Sequence, residues 1–208
     1  MGGIPEMKKI FWLLIPVYFL VLGGCRDQGP VEQSWGKMKG LEHTVGNMND
    51  DSYSTGRTQE PRPNALGEPV HMTDFEGQFV WSEYAATWCK ACKQQSPVTK
   101  RVEAELGDEV VFLTIMTGKS NKYNDHATQD TARQWAGTYQ LSPERVLAAK
   151  LWYKTVPEHR FYSPDGHTLF VHVGYLNGEQ IKQVINYYRT GWEKWSETGE
   201  EADWMASR

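Results

Sequence analysis

Residues 84–93 read YAATWCKACK, and the reading of this stretch decides the fold. Cys89 and Cys92 stand two residues apart behind Trp88, in a chain with three cysteines in all. Upstream, residues 79–85 (FVWSEYA) form the kind of aromatic and apolar run that makes a buried strand. Downstream, residues 89–106 predict a helix that Gly107-Asp108 stops. Residues 110–116 (VVFLTIM) then predict a second buried strand of the parallel type. Strand, helix and strand in that order make a βαβ unit, with the cysteine pair where the first strand passes into the helix.

That position carries chemistry. The first turn of a helix presents N–H groups without intrahelical partners and the positive end of the helix dipole. A sulfur held there is stabilised as a thiolate, its pKa drawn down from about 8.5 toward neutrality. Cys89 is therefore expected to be the attacking sulfur, and Cys92, one turn further on, the resolving thiol. The alternative for such a pair is half of a zinc site. The chain has no second CxxC, and its six histidines are scattered, so no metal ligands are assigned. His159 and His172 are expected as surface or strand residues. Lys90 and Lys93 form either a solvated face or a pair of cations that favour the thiolate, and Trp88 is in part a packing aromatic.

Beyond residue 118 a polar stretch leads to a predicted helix over about 128–139. Ser142-Pro143-Glu144 resembles a capped helix start and predicts a further helix through ERVLAAKLWY (residues 144–153). Residues 159–163, the turn 164–166 and residues 168–174 predict a hairpin. A last helix spans about 178–189, with Ile181, Val184, Ile185 and Tyr188 at helical spacing. The acidic segment 191–208, with Trp192, Trp195 and Trp204, is set apart as a tail.

The N-terminus addresses location. Lys8 and Lys9 precede an apolar run over residues 10–22, the length of a signal-peptide core and short of the roughly 20 residues that a spanning helix needs. It runs into Leu22-Gly23-Gly24-Cys25, which resembles the bacterial lipobox, so residues 1–24 are expected as a lipoprotein signal peptide and Cys25 as the lipidated residue. An uncleaved anchor helix is the alternative, and either puts the rest of the chain outside the cytoplasm. Residues 25–65 are polar, without apolar periodicity, and are expected as a flexible tether with a reach of roughly 35 Å. Roughly 140 residues remain, enough for one core. A net charge of -4 gives no basic footprint for nucleic acid, and neither GxGxxG nor GxxxxGK[ST] occurs.

Residues 81–97 (WSEYAATWCKACKQQSP) resemble the active-site segment of the thioredoxin superfamily. Pro97 stands at that family's helix-kinking proline. The resemblance implies an α/β thioredoxin-like fold over residues 66–190, with a central mixed β-sheet flanked by helices. It implies that Glu83 is the buried acid serving the resolving cysteine; the alternative is a carboxylate that reaches solvent at the strand end. It places Pro157 in the cis-proline loop, with the Val156 backbone, Trp88 and Lys90 facing a substrate. The export signal, GEPVHMTDFEGQ and FYSPDGHTLFVHVG are most similar to the membrane-anchored periplasmic branch that includes the TlpA, ResA and cytochrome c maturation reductases. YAATWCKACK is equally similar to the C-terminal domain of the DsbD electron-transfer proteins.

The implied function is a thiol-disulfide oxidoreductase with no cofactor beyond a Cys89–Cys92 disulfide. It would act on protein thiols and disulfides and draw electrons from an upstream membrane protein, in the periplasm. Arg26, where an aspartate would favour the inner membrane, points to the outer one. A disulfide oxidase and a copper-handling protein of the same fold are the alternatives; the latter usually has CxxxC and a distant histidine.

Overall fold

The computed structural model describes residues 60–150 and 155–202. The apolar run of residues 10–22, Cys25, the expected tether as far as residue 59, and residues 203–208 with Trp204 lie outside them. Among the described residues no helix is long and apolar enough to cross a membrane.

The chain opens with a two-residue pairing of β1 (Arg62–Pro63) and β2 (Pro69–Val70), antiparallel. The main sheet follows: β3 (Val80–Ala86), β4 (Val111–Gly118), β5 (Val146–Ala148), β6 (Glu158–Tyr162) and β7 (Thr168–Val173), in the spatial order β5-β4-β3-β6-β7. β3, β4 and β5 run parallel, while β6 is antiparallel to β3 and β7 to β6. Among the described residues three α-helices, α1 (Lys90–Leu106), α2 (Gln129–Tyr139) and α3 (Gly178–Thr198), accompany the sheet. The sheet is mixed, as the resemblance implies.

Every residue of β3 and β4 is buried, as continuous apolar strands demand when both faces are covered. Alternation sorts their side chains. Trp81 joins Phe112, Phe161 and Phe170 in a layer that packs on Val98 and Val102 of α1 and on Ile181, Val184, Ile185 and Tyr188 of α3. Val80, Tyr84, Leu113, Ile115 and Tyr162 form the opposite face, together with Met72. α1 ends where expected, at Gly107, whose φ of 59° a side-chain-bearing residue would resist.

Three expectations are corrected. The helix expected over residues 144–153 is, as far as residue 150, a single 3-10 turn, Pro143–Arg145, followed by β5; residues 151–153 lie outside the described residues. Val146, Leu147 and Ala148 are all buried and pair with Thr114, Ile115 and Met116. The open edge of β4 supplies backbone partners that override the helical propensity of the segment. The tether ends earlier than residue 65: Arg62 and Asn64 are buried, and Asn64 bridges to Leu147. The final helix does not stop near residue 189 but runs to Thr198, because Trp192 continues its apolar stripe into the core and Trp195 packs beside it.

Candidate active site

The site forms at the end of β3. The Cys89 N–H donates to the Ala86 carbonyl (3.1 Å), which turns the chain out of the sheet. Cys89 thereby becomes the N-cap of α1 in extended backbone, with φ of -78° and ψ of 111°. Its Sγ accepts the Cys92 N–H at 3.0 Å, the bond that a side-chain oxygen makes at an ordinary N-cap. A thiolate at Cys89 would receive the same donor together with the helix dipole. Cys89 and Cys92 are joined as a disulfide with Cα atoms 5.3 Å apart. Cys89 is 5% exposed and Cys92 0%, so of the pair only Cys89 retains any exposed surface.

A second segment meets the disulfide from the far side of the sheet's order. The Val156–Pro157 peptide is cis, and the Val156 carbonyl lies 3.4 Å from Cys89 Sγ. The Pro157 carbonyl accepts the Gly174 N–H at 2.8 Å. That bond brings in Val173 and Tyr175, each 46% exposed, which sequence reasoning did not include. The available signal was an apolar strand end leading into a glycine with exposed neighbours. Gly174 has φ of 120°, a backbone state that favours glycine.

Gln95 was also missed, and nothing in its sequence context announces it. Wholly buried on α1, it donates to the Leu176 carbonyl (2.9 Å) and accepts the Leu176 N–H (2.8 Å). The segment after β7 is thus tied to the disulfide helix.

The remaining expected residues fall around this core. Trp88 is half-buried and rests against the chain after β4: a Cβ on Gly118 would come within 3.3 Å of Trp88 Nε1. Thr87 anchors that chain, its N–H donating to the Gly118 carbonyl (3.2 Å) and its hydroxyl to the Lys119 carbonyl (2.6 Å). Lys90 and Lys93 are exposed in the first turn of α1. Pro97 lies inside α1.

Glu83 does not reach solvent. It is 0% exposed, and Thr99 of α1 donates to its Oε2 at 2.8 Å while Oε1 has no partner. Burial pushes its pKa up to about 8 against the opposing effect of the Thr99 bond. Thr99 stands two helical turns beyond Cys92, about 10 Å of helix rise. The structure therefore brings Glu83 under the disulfide helix without a hydrogen bond to either cysteine.

His159, opposite Glu83 in register, is a strand residue but a fully buried one. Burial first, and the neighbouring His172 second, push its pKa down to about 3. Among the described residues no cluster of three His, Cys, Asp or Glu is arranged to hold a metal.

Residues 66–189 match the family model described as a thioredoxin-like domain. The chain belongs to this family. Among curated relatives of this thioredoxin-like chain, the thioredoxin-like protein YneN of Bacillus subtilis is 22% identical over 58% of the chain and 71% of YneN. The thiol-disulfide oxidoreductase ResA of the same organism is 23% identical over 60% of the chain and 69% of ResA. Among solved structures, MTB dsbF in its mixed oxidised and reduced forms superposes with a TM-score of 0.52 at 17% identity, over 64% of this chain and 97% of that one. A DsbF homologue from Corynebacterium diphtheriae gives 0.50 at 13% identity, over 72% and 94% of the two chains; both share the fold. With Cys89 and Cys92 at disulfide distance, the thioredoxin-like chain is a thiol-disulfide oxidoreductase.

Proposed function

We propose that this oxidoreductase is a lipid-tethered, extracytoplasmic reductase of protein disulfides. The observation that carries the reading is the environment of Cys89 Sγ. Cys89 is the more exposed residue of the pair, its Sγ sits on the helix N-terminus within reach of the Cys92 N–H, and the Val156 carbonyl lies beside it. In the reduced protein the Cys89 thiolate attacks one sulfur of a substrate disulfide. A mixed disulfide forms and the first substrate thiol leaves. The ionised fraction of Glu83, which grows as pH approaches its pKa of about 8, takes the proton of the Cys92 thiol, and the resulting thiolate attacks Cys89 Sγ. This forms the Cys89–Cys92 disulfide and releases the second substrate thiol. Two electrons pass from the dithiol to the substrate, and a dithiol on an upstream membrane protein restores the pair by the same exchange.

Trp88, Lys90, Val156, Val173 and Tyr175 form the surface that receives the substrate, with the Val156 backbone lying along an extended chain. Residues 1–24 serve as the export signal, lipidated Cys25 as the anchor, and the polar segment that follows as the tether; the apolar run and the Leu-Gly-Gly-Cys sequence support this part. Arg26 favours the outer membrane. The decisive measurement is the equilibrium potential of the Cys89–Cys92 couple against glutathione. A value near -270 mV, that of thioredoxin, is expected; one near -120 mV would make the protein an oxidase. Cys25→Ser is expected to release the exported protein from membranes, and its continued sedimentation with them would exclude the lipid anchor.

A further inference from the structure

The parallel strands β3, β4 and β5 all end at the edge that carries the disulfide, and the chain leaving each end carries lysine. Lys90 and Lys93 follow β3, Lys119 and Lys122 follow β4, and Lys150 follows β5; all five are exposed. The loop bearing Lys119 and Lys122 is held beside the cysteines by the two bonds from Thr87 and by its packing on Trp88.

The carboxylates at this edge do not balance those cations. Asp125 lies 3.2 Å from Lys119 and also feels the charge of Lys122. Asp130 pairs with Arg133 at 2.6 Å, Glu158 with Arg160 at 2.6 Å, and Glu179 with Lys182 at 2.6 Å. Among the described residues Lys90, Lys93 and Lys150, and one of the two lysines beside Asp125, are therefore left without an acidic partner. The chain as a whole carries -4, so this edge is of opposite sign to the rest of the molecule. The positive end of the α1 dipole points the same way.

We propose that the protein partner of this site presents an acidic segment beside its reacting cysteine, docking across Lys90, Lys93, Lys119 and Lys122. Charge complementarity selects the partner: a local cationic field on an anionic protein draws an acidic surface to the disulfide edge and turns it into register before the sulfurs meet. A basic segment is repelled there. On the other side of the disulfide, the exposed Val173 and Tyr175 offer apolar contact, so the acidic residues of the partner belong on the α1 side.

The inference rests on the reductase reading, and three peptide disulfides separate the two. Each has one intramolecular disulfide in the same frame, with the cysteines flanked by Glu, by Gln or by Lys. Their reduction by the full chain in uncharged detergent is followed at low and at high ionic strength. The Glu peptide is expected to be reduced fastest at low salt, roughly tenfold ahead of the Lys peptide, with the gap closing as salt screens it. Lys119→Gln with Lys122→Gln should narrow the same ratio. Equal, salt-independent rates for the three peptides, or the Lys peptide reacting fastest, would overturn the proposal and leave the reductase reading standing. No reduction of any peptide would overturn both. Because the peptide series uses the unaltered chain, its outcome does not depend on how the variants fold.

Discussion

Two places on the same strand treat charge in opposite ways. At the end of β3 the disulfide sits among lysines that are exposed to water. Six residues earlier, Glu83 and its register partner His159 lie sealed between the sheet and the helices, with three of their four polar side-chain atoms unpartnered. There the cost of desolvation holds the carboxyl protonated through neutrality and the imidazole neutral. On the docking proposal the outer site attracts and orients a partner, whereas the inner one, being sealed, can only hold or release a proton. Six residues of chain, from Glu83 to Cys89, separate the two.

Breaking the outer site should have the largest effect. Cys89→Ser is expected to remove disulfide reduction, a loss of at least about a thousandfold for a nucleophile. Cys92→Ser should stall at the mixed disulfide, visible as a covalent adduct on a non-reducing gel. Equal trapping by both variants would mean that the two sulfurs share the attack.

Breaking the inner site comes next. Glu83→Gln should slow the resolving step by about a hundredfold and erase a rate inflection near the Glu83 pKa of about 8, while moving the equilibrium potential little. Retention of that inflection in stopped-flow rates would remove Glu83 from the chemistry.

The inner pair also sets a pH profile of stability. Glu83 rises from 4.5 to about 8 on folding, so the folded state holds a proton that the unfolded chain releases, and stability falls as pH climbs between those values. His159 drops from 6.5 to about 3, so the unfolded chain binds a proton that the folded state refuses, and stability falls as pH drops between those values. The two slopes oppose each other between 4.5 and 6.5, so denaturant midpoints should plateau there and decline on both sides. His159→Phe should flatten the acid decline and Glu83→Gln the alkaline one. An unchanged acid limb in His159→Phe would place the loss elsewhere.

The smallest expected change concerns the tie between α1 and the segment after β7. Gln95→Leu strips both partners from the buried Leu176 peptide and should cost about 2 kcal/mol, with a raised KM and a nearly constant potential. A change in potential with KM intact would assign Gln95 to the sulfurs instead of the rim.

What sequence reveals here follows from how local each cause is. The cysteine pair, α1 and its stop at Gly107, α2 and the β6–β7 hairpin are written in caps, turns and periodicity, and the structure has them within a residue or two. β5 was illegible because its three residues take strand geometry only from the neighbouring edge of β4. The extension of α3 had a signal, since Tyr188, Trp192 and Trp195 keep helical spacing, but Gly191 reads as a stop until packing of the tryptophans outweighs it. The burial of Glu83 follows from an all-buried strand, whereas the role of Gln95 depends on contacts between residues about 80 apart, and the place of Val173 and Tyr175 on the bond between Pro157 and Gly174.

The Gln95 amide imitates a peptide group. It gives one bond and takes one from Leu176, as a neighbouring strand would, in a place where no strand runs. Leu176 is consequently knitted into the interior although it belongs to a connecting segment, and its amide should exchange with deuterium as slowly as those of β3. The jaw beside the disulfide therefore has no hinge at its base. On the proposed reading a partner is let go when its own sulfur leaves, and the surface that held it keeps its shape for the next.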